Sequence, residues 1–451
     1  METPHYTLFS NRDLVKLVIP MIIEQMLFIS VGMIDTMMIA SQGDASVSGV
    51  SLVDMVNNFI GNIYFALATG GAVVAAQFLG AKKEADARSS ARQLLVLNLV
   101  FGLLLTLGCE LGNRHLLRLV FGNLPPDVLH EAVAYFRVTA CTYPVIAVYC
   151  SCTSLLRAMK CSQWSMYSST VTNVLNAIGN WFFIFVLKQG VVGAATSTLI
   201  SRIVAMLLVL YILSQRTRPV YVDWHEPFRV HWGLVRRILY IGVPNGIESG
   251  LFQLGRVLVV GLIAGYGTVQ IAANAVGNSI SGLTILCGIG FSLAMITVVG
   301  QSVGAGDEGQ CRYYIRKMMR WAYVASACNS LVVLAAMPLL LRCYGKLTPE
   351  ALHLGGILAC IHLGFGLLMW PASFIFPNAL RAANDVKFTM IVSIVSMFAV
   401  RIGCSYLLSA LFHNGALAVW SAMVADWVVR ISCFLWRYFT GGWKKRAGFS
   451  T

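Results

Sequence analysis

Charged residues are scarce in this sequence. Asp, Glu, Lys and Arg make up only 12% of its 451 residues, whereas soluble domains carry about 25%. Together with a mean hydropathy of +0.73, this scarcity excludes an ordinary soluble domain and predicts a membrane protein. The sequence also lacks a C-x-x-C pair and any metal-ligand spacing among its eight histidines. We therefore predict no cofactor and neither a metal nor a redox centre.

Apolar runs of helical length recur along the whole chain. Because about 20 apolar residues cross a bilayer as a helix, these runs predict an all-α integral membrane protein with twelve transmembrane helices. The runs lie at roughly 14–40, 46–79, 89–112, 130–156, 164–187, 191–214, 234–265, 269–303, 316–341, 351–380, 388–411 and 415–436.

The basic residues follow the loops between these runs. With both termini inside, 23 of the 33 lysines and arginines fall on cytoplasmic segments, five on the other face and five within runs. This asymmetry predicts a multi-pass protein of the cell membrane, surrounded by lipid, with both termini cytoplasmic. Because the basic residues are spread between hydrophobic runs, the net charge of +14 does not indicate a nucleic-acid partner. We expect a monomer.

The second half of the chain repeats the first at an offset of 224 residues. Pro20 falls on Pro244 and Glu24 on Glu248. Gln77, Gly80, Ala81, Arg88, Leu156-Arg157-Ala158 and Met166 also find identical residues in the second half. A parallel repeat of six spans predicts two pseudo-symmetric lobes, residues 1–214 and 232–451, joined by a cytoplasmic linker at 215–231. Transporters with a substrate site at the repeat interface are often built this way.

Two carboxylates interrupt the first apolar run. Glu24 and Asp35 lie eleven residues apart, which at about 100° per residue places them on nearly one helix face. A charge at membrane depth costs about 3 kcal/mol or more, so Asp35 is the strongest candidate for coupling a cation to transport. Glu24 and Glu248 follow matching prolines by four residues. This symmetry favours a structural part, with a cavity-lining role left open.

Other polar residues of the apolar runs allow two interpretations each. Asp54 with Asn57 forms a polar cluster that could line a cavity or join helices. Arg256 and Arg401 have no acidic neighbour in sequence, so each either pairs with an acid of another helix or faces an anionic substrate group. Arg430 follows Asp426 by four residues, which favours an ion pair within one helix.

Several motifs resemble those of one transporter family. Pro20 followed by Asp35 in VGMIDTMMIA resembles the first helix of multidrug and toxic compound extrusion (MATE) transporters. ATGGAVVAAQFLGAKKEADAR and its echo VVGQSVGAGDEGQCR are similar to two helix junctions of that family, and LLRAMKCSQWSM to a third segment. The resemblance implies twelve helices in two lobes around a central cavity. It also implies cation-coupled efflux of amphipathic, often cationic, compounds by alternating access.

The resemblance also implies a cation site in the N-terminal lobe. The family's motif positions fall on Asp35, Asn176, Asn180 and Thr198. Asn180 stands where many members have an aspartate, which favours a proton over Na⁺ as the coupling ion while leaving both open. The positions of a second, C-terminal set of acids hold Phe252 and Trp370, so we expect no second coupling site. Glu24, Asp54, Asn57, Glu248 and Arg256 are further candidates for contact with the substrate.

Two other functions are alternatives to extrusion. A flippase for lipid-linked saccharides belongs to the same superfamily, and Arg256 with Arg401 would suit a pyrophosphate group. Such flippases commonly have more spans than the twelve counted here. An intramembrane enzyme would need a catalytic cluster such as H-E-x-x-H or paired aspartates in one membrane layer, which the sequence lacks. We therefore predict an antiporter driven by H⁺ or Na⁺ and not an enzyme.

Overall fold

The computed structural model describes residues 7–122, 125–223, 228–344, 347–413 and 415–449, and these form helices joined by short loops. Residues 224–227 of the predicted linker lie outside the described part. The helices are α1 (Asn11–Ala40), α2 (Asp44–Gly80), α3 (Glu84–Phe121), α4 (Pro126–Ala140), α5 (Tyr143–Ala158), α6 (Ser162–Asn180), α7 (Gly190–Leu213), α8 (Trp232–Ala264), α9 (Thr268–Gly304), α10 (Glu308–Arg342), α11 (Pro349–Trp370), α12 (Phe376–Ala382), α13 (Val386–Val395), α14 (Gly403–Phe412), α15 (Gly415–Phe439) and α16 (Gly442–Ala447). Three π-helical stretches, Trp181–Val186, Pro371–Ile375 and Ser396–Ile402, continue α6, α11 and α13.

The predicted all-α membrane fold is confirmed. In the described part of the chain, eleven helical stretches are long and apolar enough to cross a membrane, and the bent pair α4 and α5 makes up to twelve. Large apolar side chains stay exposed along these stretches, among them Phe28, Leu111 and Leu119. Exposed apolar surface on this scale suits a lipid environment and not water.

The fourth predicted run, 130–156, is not one straight helix. Its two parts, α4 and α5, meet at an angle of 48°. Pro144 lies at the start of α5 and cannot donate the hydrogen bond that would continue the helix to the carbonyl of Ala140. That carbonyl instead accepts from Thr106 Oγ1 at 2.8 Å. Pro144 therefore indicates the bend, although the pattern of apolar residues predicts a single run there.

The helices form two compact units. The first unit is Asn11–Gly246, and the second is Ile247–Thr451 with the chain start up to Ser10. Tyr64, Phe136 and Tyr143 are fully buried in the core of the first unit. The boundary between the units falls inside α8, whereas the sequence pattern predicts lobes that meet at residues 215–231. That lobe division stays a prediction.

The core of the second unit is rich in tryptophan. Trp420 and Trp427 are buried there beside Leu358. The chain start belongs to this unit, because Phe9 N donates to Tyr314 Oη at 2.7 Å and the two rings pack edge to face.

The described part of the linker packs into the first unit. Val220 and Val222 are buried, and Val220 N donates to the Met159 sulfur at 3.3 Å. Arg218 lies over the Trp164 ring at 5.7 Å. These residues are therefore part of the packed fold of that unit and not a free tether.

The first half of α8 also packs into the first unit. A Cβ on Gly70 of α2 would lie 2.6 Å from the Ile238 carbonyl oxygen, so the two helix backbones touch. Arg237 Nη2 donates to Gln77 Oε1 at 2.5 Å nearby. A small residue at position 70 is what permits this close helix contact.

Candidate functional site

Four polar side chains from three helices meet inside the first unit. Asn180 Nδ2 of α6 donates to Asp35 Oδ1 of α1 at 2.5 Å, and it lies 3.5 Å from Asn176 Oδ1. Asn176 Nδ2 in turn donates to Thr198 Oγ1 of α7 at 3.1 Å. The structure thus brings together all four residues that the family resemblance names for cation coupling. Their role in coupling stays a prediction.

Helices α6 and α7 approach each other closely at this network. A Cβ on Gly179 would lie 2.3 Å from Ser197 Oγ, so only glycine fits there without a shift. Ser197 Oγ donates to the Asn176 carbonyl oxygen at 2.9 Å. Asn176 and Asn180 are four residues apart and share one helix face, and a π-helical stretch follows Asn180 at once. Such stretches often occur at functional sites.

The network contains a buried acceptor without a donor. Asn176, Asn180 and Thr198 are buried, whereas Asp35 is half-buried. Asn180 Oδ1 has no hydrogen-bond partner among the described residues. A buried amide oxygen with a free lone pair, next to a carboxylate, suits a cation or a proton carried by that carboxylate.

A second polar cluster surrounds Asp54 on α2. Tyr135 Oη donates to Asp54 Oδ1 at 3.3 Å, and Asn57 Nδ2 lies 3.5 Å from the same oxygen. Tyr143 Oη donates to Asn57 Oδ1 at 2.9 Å. The sequence analysis named Asp54 and Asn57 but missed both tyrosines, because nothing in a single sequence pairs α2 with α4 and α5.

Arg202 on α7 connects the two clusters electrostatically. Its Nη1 donates to Thr142 Oγ1 at 3.1 Å, and its charge acts on both Asp35 and Asp54. Arg202 is one of the five basic residues that lie within the predicted apolar runs. A cation near two carboxylates offsets part of their charge, so one further cation would suffice to neutralise the group.

Glu24 is held in a buried ion pair. Arg157 Nη1 donates to Glu24 Oε1 at 3.1 Å, and Ser165 Oγ donates to the same oxygen at 2.8 Å. Both charged side chains are buried. Glu24 is thus fully engaged by protein groups, in keeping with the structural part that the repeat symmetry favoured.

The second unit carries the matching pair. Arg381 Nη2 donates to Glu248 Oε1 at 2.6 Å, 224 residues after the first pair. Both arginines are among the 23 basic residues assigned to cytoplasmic segments, and that assignment stays a prediction. Arg157 lies in the last turn of α5 and Arg381 in the last turn of α12, each with its side chain against a buried glutamate. The sequence repeat contained a signal for this pairing, because the glutamate and the arginine both recur at the same offset.

Arg430 does not pair with Asp426 as the spacing predicts. Its Nη2 donates to Ser393 Oγ at 2.7 Å and lies 3.7 Å from Glu248 Oε1. Asp426 instead accepts from the Ser396 hydroxyl. The hydrogen-bond partners of Arg430 and Asp426 therefore come from neighbouring helices and not from their own helix.

Aromatic rings occupy the two positions at which the family resemblance would place a second set of acids. Phe252 packs against Phe374 with ring centroids 6.1 Å apart, and Trp370 stacks on Phe374 at 5.2 Å. Arg401 lies 6.0 Å from the Phe252 ring centroid. The exposed Arg256 acts electrostatically on Arg401. This part of the second unit is apolar and basic, whereas the Asp35 network is acidic.

Comparison with known proteins agrees with the duplicated architecture. The MatE family model matches the chain twice, at residues 20–182 and 244–407, and the two matches start 224 residues apart, at the offset of the repeat. The chain is 25% identical to the probable multidrug resistance protein NorM of Thermotoga maritima over 98% of this chain and 97% of that protein.

Solved structures share the fold. A crystal structure of MATE in the bent conformation superposes with a TM-score of 0.87 at 21% identity, covering 97% of both chains. An outward-facing multidrug resistance MATE family transporter of the MOP superfamily gives 0.87 at 21% identity over 96% of both chains. With two family matches that span most of its length, the chain belongs to the MatE family of multidrug and toxic compound extrusion transporters.

Proposed function

We propose that this protein exports amphipathic, cationic small molecules across the cell membrane in exchange for H⁺ or Na⁺. It works by alternating access, as a monomer with both termini in the cytoplasm, and it has no enzymatic activity and no cofactor. Membership of a multidrug efflux family supports small-molecule extrusion over the flippase alternative. The observation that carries the coupling is the hydrogen bond from Asn180 to Asp35 within the network of Asn176 and Thr198.

The coupling ion binds at Asp35. If the ion is a proton, it sits on the Asp35 carboxyl, which can then donate to the free Asn180 Oδ1. If the ion is Na⁺, the Asp35 carboxylate and the amide and hydroxyl oxygens of Asn176, Asn180 and Thr198 supply hard oxygen ligands. In either case the coupling ion uses Asn180 Oδ1, which has no hydrogen-bond partner among the described residues.

Coupling requires that the ion and the substrate favour different states. A ligand shifts a two-state equilibrium only by the difference between its affinities for the two states. A cationic substrate is attracted by the unneutralised carboxylates of Asp35 and Asp54. An ion that arrives at Asp35 from outside removes that attraction and releases the substrate outward.

The test is dye efflux from proteoliposomes. The purified protein is reconstituted around ethidium, and efflux is followed by fluorescence under a pH gradient alone and then under a Na⁺ gradient alone. The wild type is compared with Asp35→Asn and with a control, Asp127→Asn, whose carboxylate is exposed at the start of α4. We expect one gradient to drive efflux, and we expect Asp35→Asn alone to lose it.

Two results would refute the proposal. If Asp35→Asn exports ethidium as fast as the wild type under both gradients, Asp35 does not couple the ion. If neither gradient accelerates efflux by the wild type, the transport is not driven by H⁺ or Na⁺.

A further inference from the structure

We propose that the second unit binds the anionic group of an aromatic organic anion at Arg256 and Arg401, with the aromatic ring of the ligand against Phe252. This inference deepens the proposed function by adding a second substrate class, aromatic carboxylates or sulfonates, including zwitterions. It depends on that function only for the claim that the bound anion is transported.

Arg401 is a cation inside a membrane-spanning stretch, with no ion pair within 4.0 Å among the described residues. It lies in the π-helical Ser396–Ile402, within the predicted membrane span Val386–Leu411. Its Nε is buried and has no acceptor in the described part of the chain. A guanidinium without an ion pair at this depth is costly, because its charge is taken out of water. Such a group needs an anion.

The protein does not supply that anion at ion-pair distance. Across the residues that the structure describes, neither Arg256 nor Arg401 has an ion pair to a carboxylate within 4.0 Å. Asp426 acts electrostatically on Arg401 from beyond ion-pair distance; its Oδ1 accepts from Ser396, and its Oδ2 has no hydrogen-bond partner among the described residues. Arg256 increases the need for an anion, because its positive charge repels that of Arg401. A single anionic group near both guanidinium groups would relieve this repulsion.

The polar groups of the second unit carry an excess of positive charge. Two acids, Glu248 and Asp426, stand among four interacting arginines: Arg256, Arg381, Arg401 and Arg430. Arg381 is paired with Glu248 at 2.6 Å and Arg430 lies 3.7 Å from the same carboxylate, although Nε of both arginines has no acceptor among the described residues. The excess therefore rests on Arg256 and Arg401. In the first unit the balance has the opposite sign, since Glu24, Asp35 and Asp54 outnumber Arg157 and Arg202.

The surroundings of these arginines select an aromatic ligand. Phe252 lies under Arg401 and packs against Phe374, on which Trp370 stacks. Planar rings that meet edge to face or stacked also bind other aromatic rings in these geometries. A guanidinium group binds carboxylate or sulfonate oxygens with two parallel hydrogen bonds. A flat ring that bears one such group matches both features.

The test is equilibrium binding of radiolabelled 2-naphthoate to the full-length protein. The protein is held in phosphatidylcholine nanodiscs, and neutral 2-naphthalenemethanol serves as the competitor that lacks the charge. We expect saturable 2-naphthoate binding that 2-naphthalenemethanol displaces poorly. Arg256→Gln and Arg401→Gln should each weaken this binding about tenfold or more, which corresponds to about 1.4 kcal/mol. Arg401→Lys keeps the charge and should lose less.

The matched control is Arg137→Gln, because Arg137 is an exposed arginine of a predicted span in the first unit. It should bind 2-naphthoate like the wild type. Arg256 is exposed, so its replacement leaves the packing intact and tests the site even if Arg401→Gln fails to fold. Equal binding by Arg256→Gln and the wild type, or no saturable binding by the wild type, would overturn the proposal.

A lipid phosphate is the competing source of negative charge. Repeating the measurement in nanodiscs with phosphatidylglycerol separates the two sources: unchanged affinity supports a substrate site, and loss of 2-naphthoate binding overturns it in favour of a lipid site. Binding needs no gradient, so its failure is distinct from a failure of ethidium efflux. Efflux without 2-naphthoate binding refutes only this inference, and binding without efflux refutes only the proposed function.

Discussion

Arg157 and Glu24 form an ion pair in the interior of the first unit, with 3.1 Å between Arg157 Nη1 and Glu24 Oε1. The same pairing recurs in the second unit between Arg381 and Glu248. In both cases the glutamate lies four residues after a proline within a long helix, α1 or α8. Each unit therefore contains one such buried ion pair, whereas the acidic network around Asp35 lies in the first unit.

Breaking one of these pairs should destabilise the protein strongly. Glu24→Ala leaves Arg157 buried without its carboxylate, and we expect a loss of about 3–5 kcal/mol in the free energy of unfolding. Unfolding by titration with SDS, followed by circular dichroism, measures this loss. The double variant Glu24→Gln/Arg157→Gln leaves no unpaired charge. Its loss of unfolding free energy should therefore be smaller than the sum of the losses in Glu24→Gln and Arg157→Gln. Strictly additive losses would show that the two side chains do not stabilise each other.

Asn180→Asp should create a Na⁺ site. It places a second carboxylate beside Asp35, and two carboxylates attract a monovalent cation more strongly than one. A ligand that binds only the folded state raises stability with its concentration. We therefore expect NaCl to raise the melting temperature of Asn180→Asp above the effect of equal choline chloride.

The control for this experiment is Asn62→Asp, which adds the same charge at an exposed position of α2. It should show no preference for Na⁺ over choline. A melting temperature of Asn180→Asp that responds equally to both salts would contradict the assignment of position 180 to the cation site.

Gly179→Ala should separate α6 from α7. The added Cβ would meet Ser197 Oγ at 2.3 Å, and overpacking of this kind typically costs about 1–3 kcal/mol. The shift would also loosen the hydrogen bond between Asn176 and Thr198, so transport should fall along with stability. The measurements are SDS unfolding and ethidium efflux.

Two variants test this steric explanation. Gly179→Ala/Ser197→Ala removes the clashing hydroxyl and should recover part of the loss. Gly61→Ala meets no atom within 4 Å and should leave stability unchanged or slightly higher. If Gly179→Ala is as stable as the wild type, the close approach of the two helices is not required.

Val220→Asp should unfold the first unit although the residue lies in a loop. Val220 is fully buried, and an unpaired carboxylate cannot be buried there without a cost of several kcal/mol. We expect faster trypsin cleavage after Arg216 and a lower melting temperature. Lys188→Gln, in the loop between α6 and α7, is the loop control and should change neither quantity. Unaltered cleavage of Val220→Asp would show that the linker is a free tether.

The helices themselves were predictable because each membrane span needs its own apolar run. The repeat was predictable for the same reason that the family model matches twice, since identical residues recur at one offset. Asp35, Asn176, Asn180 and Thr198 came from the family motifs. Their hydrogen bonds could not be derived, because they depend on how closely α6 and α7 approach at Gly179.

Partners that are distant in sequence were the features that could not be predicted. Glu24 and Arg157 are 133 residues apart, and no local spacing connects them. The spacing of Asp426 and Arg430 pointed to the wrong partner, because other helices offered hydroxyl groups and a glutamate at shorter range.

The division of α8 at Gly246 has a consequence for cutting the chain in two. The predicted second lobe begins at residue 232, yet the residues before Ile247 are packed with the first unit, and the described residues before Asn11 are packed with the second. A cut in the linker would therefore separate residues from the unit in which they are packed. Two genes that encode residues 1–223 and 228–451 would each yield a polypeptide lacking residues of its own unit, so we expect the two products to fold only when both are made together.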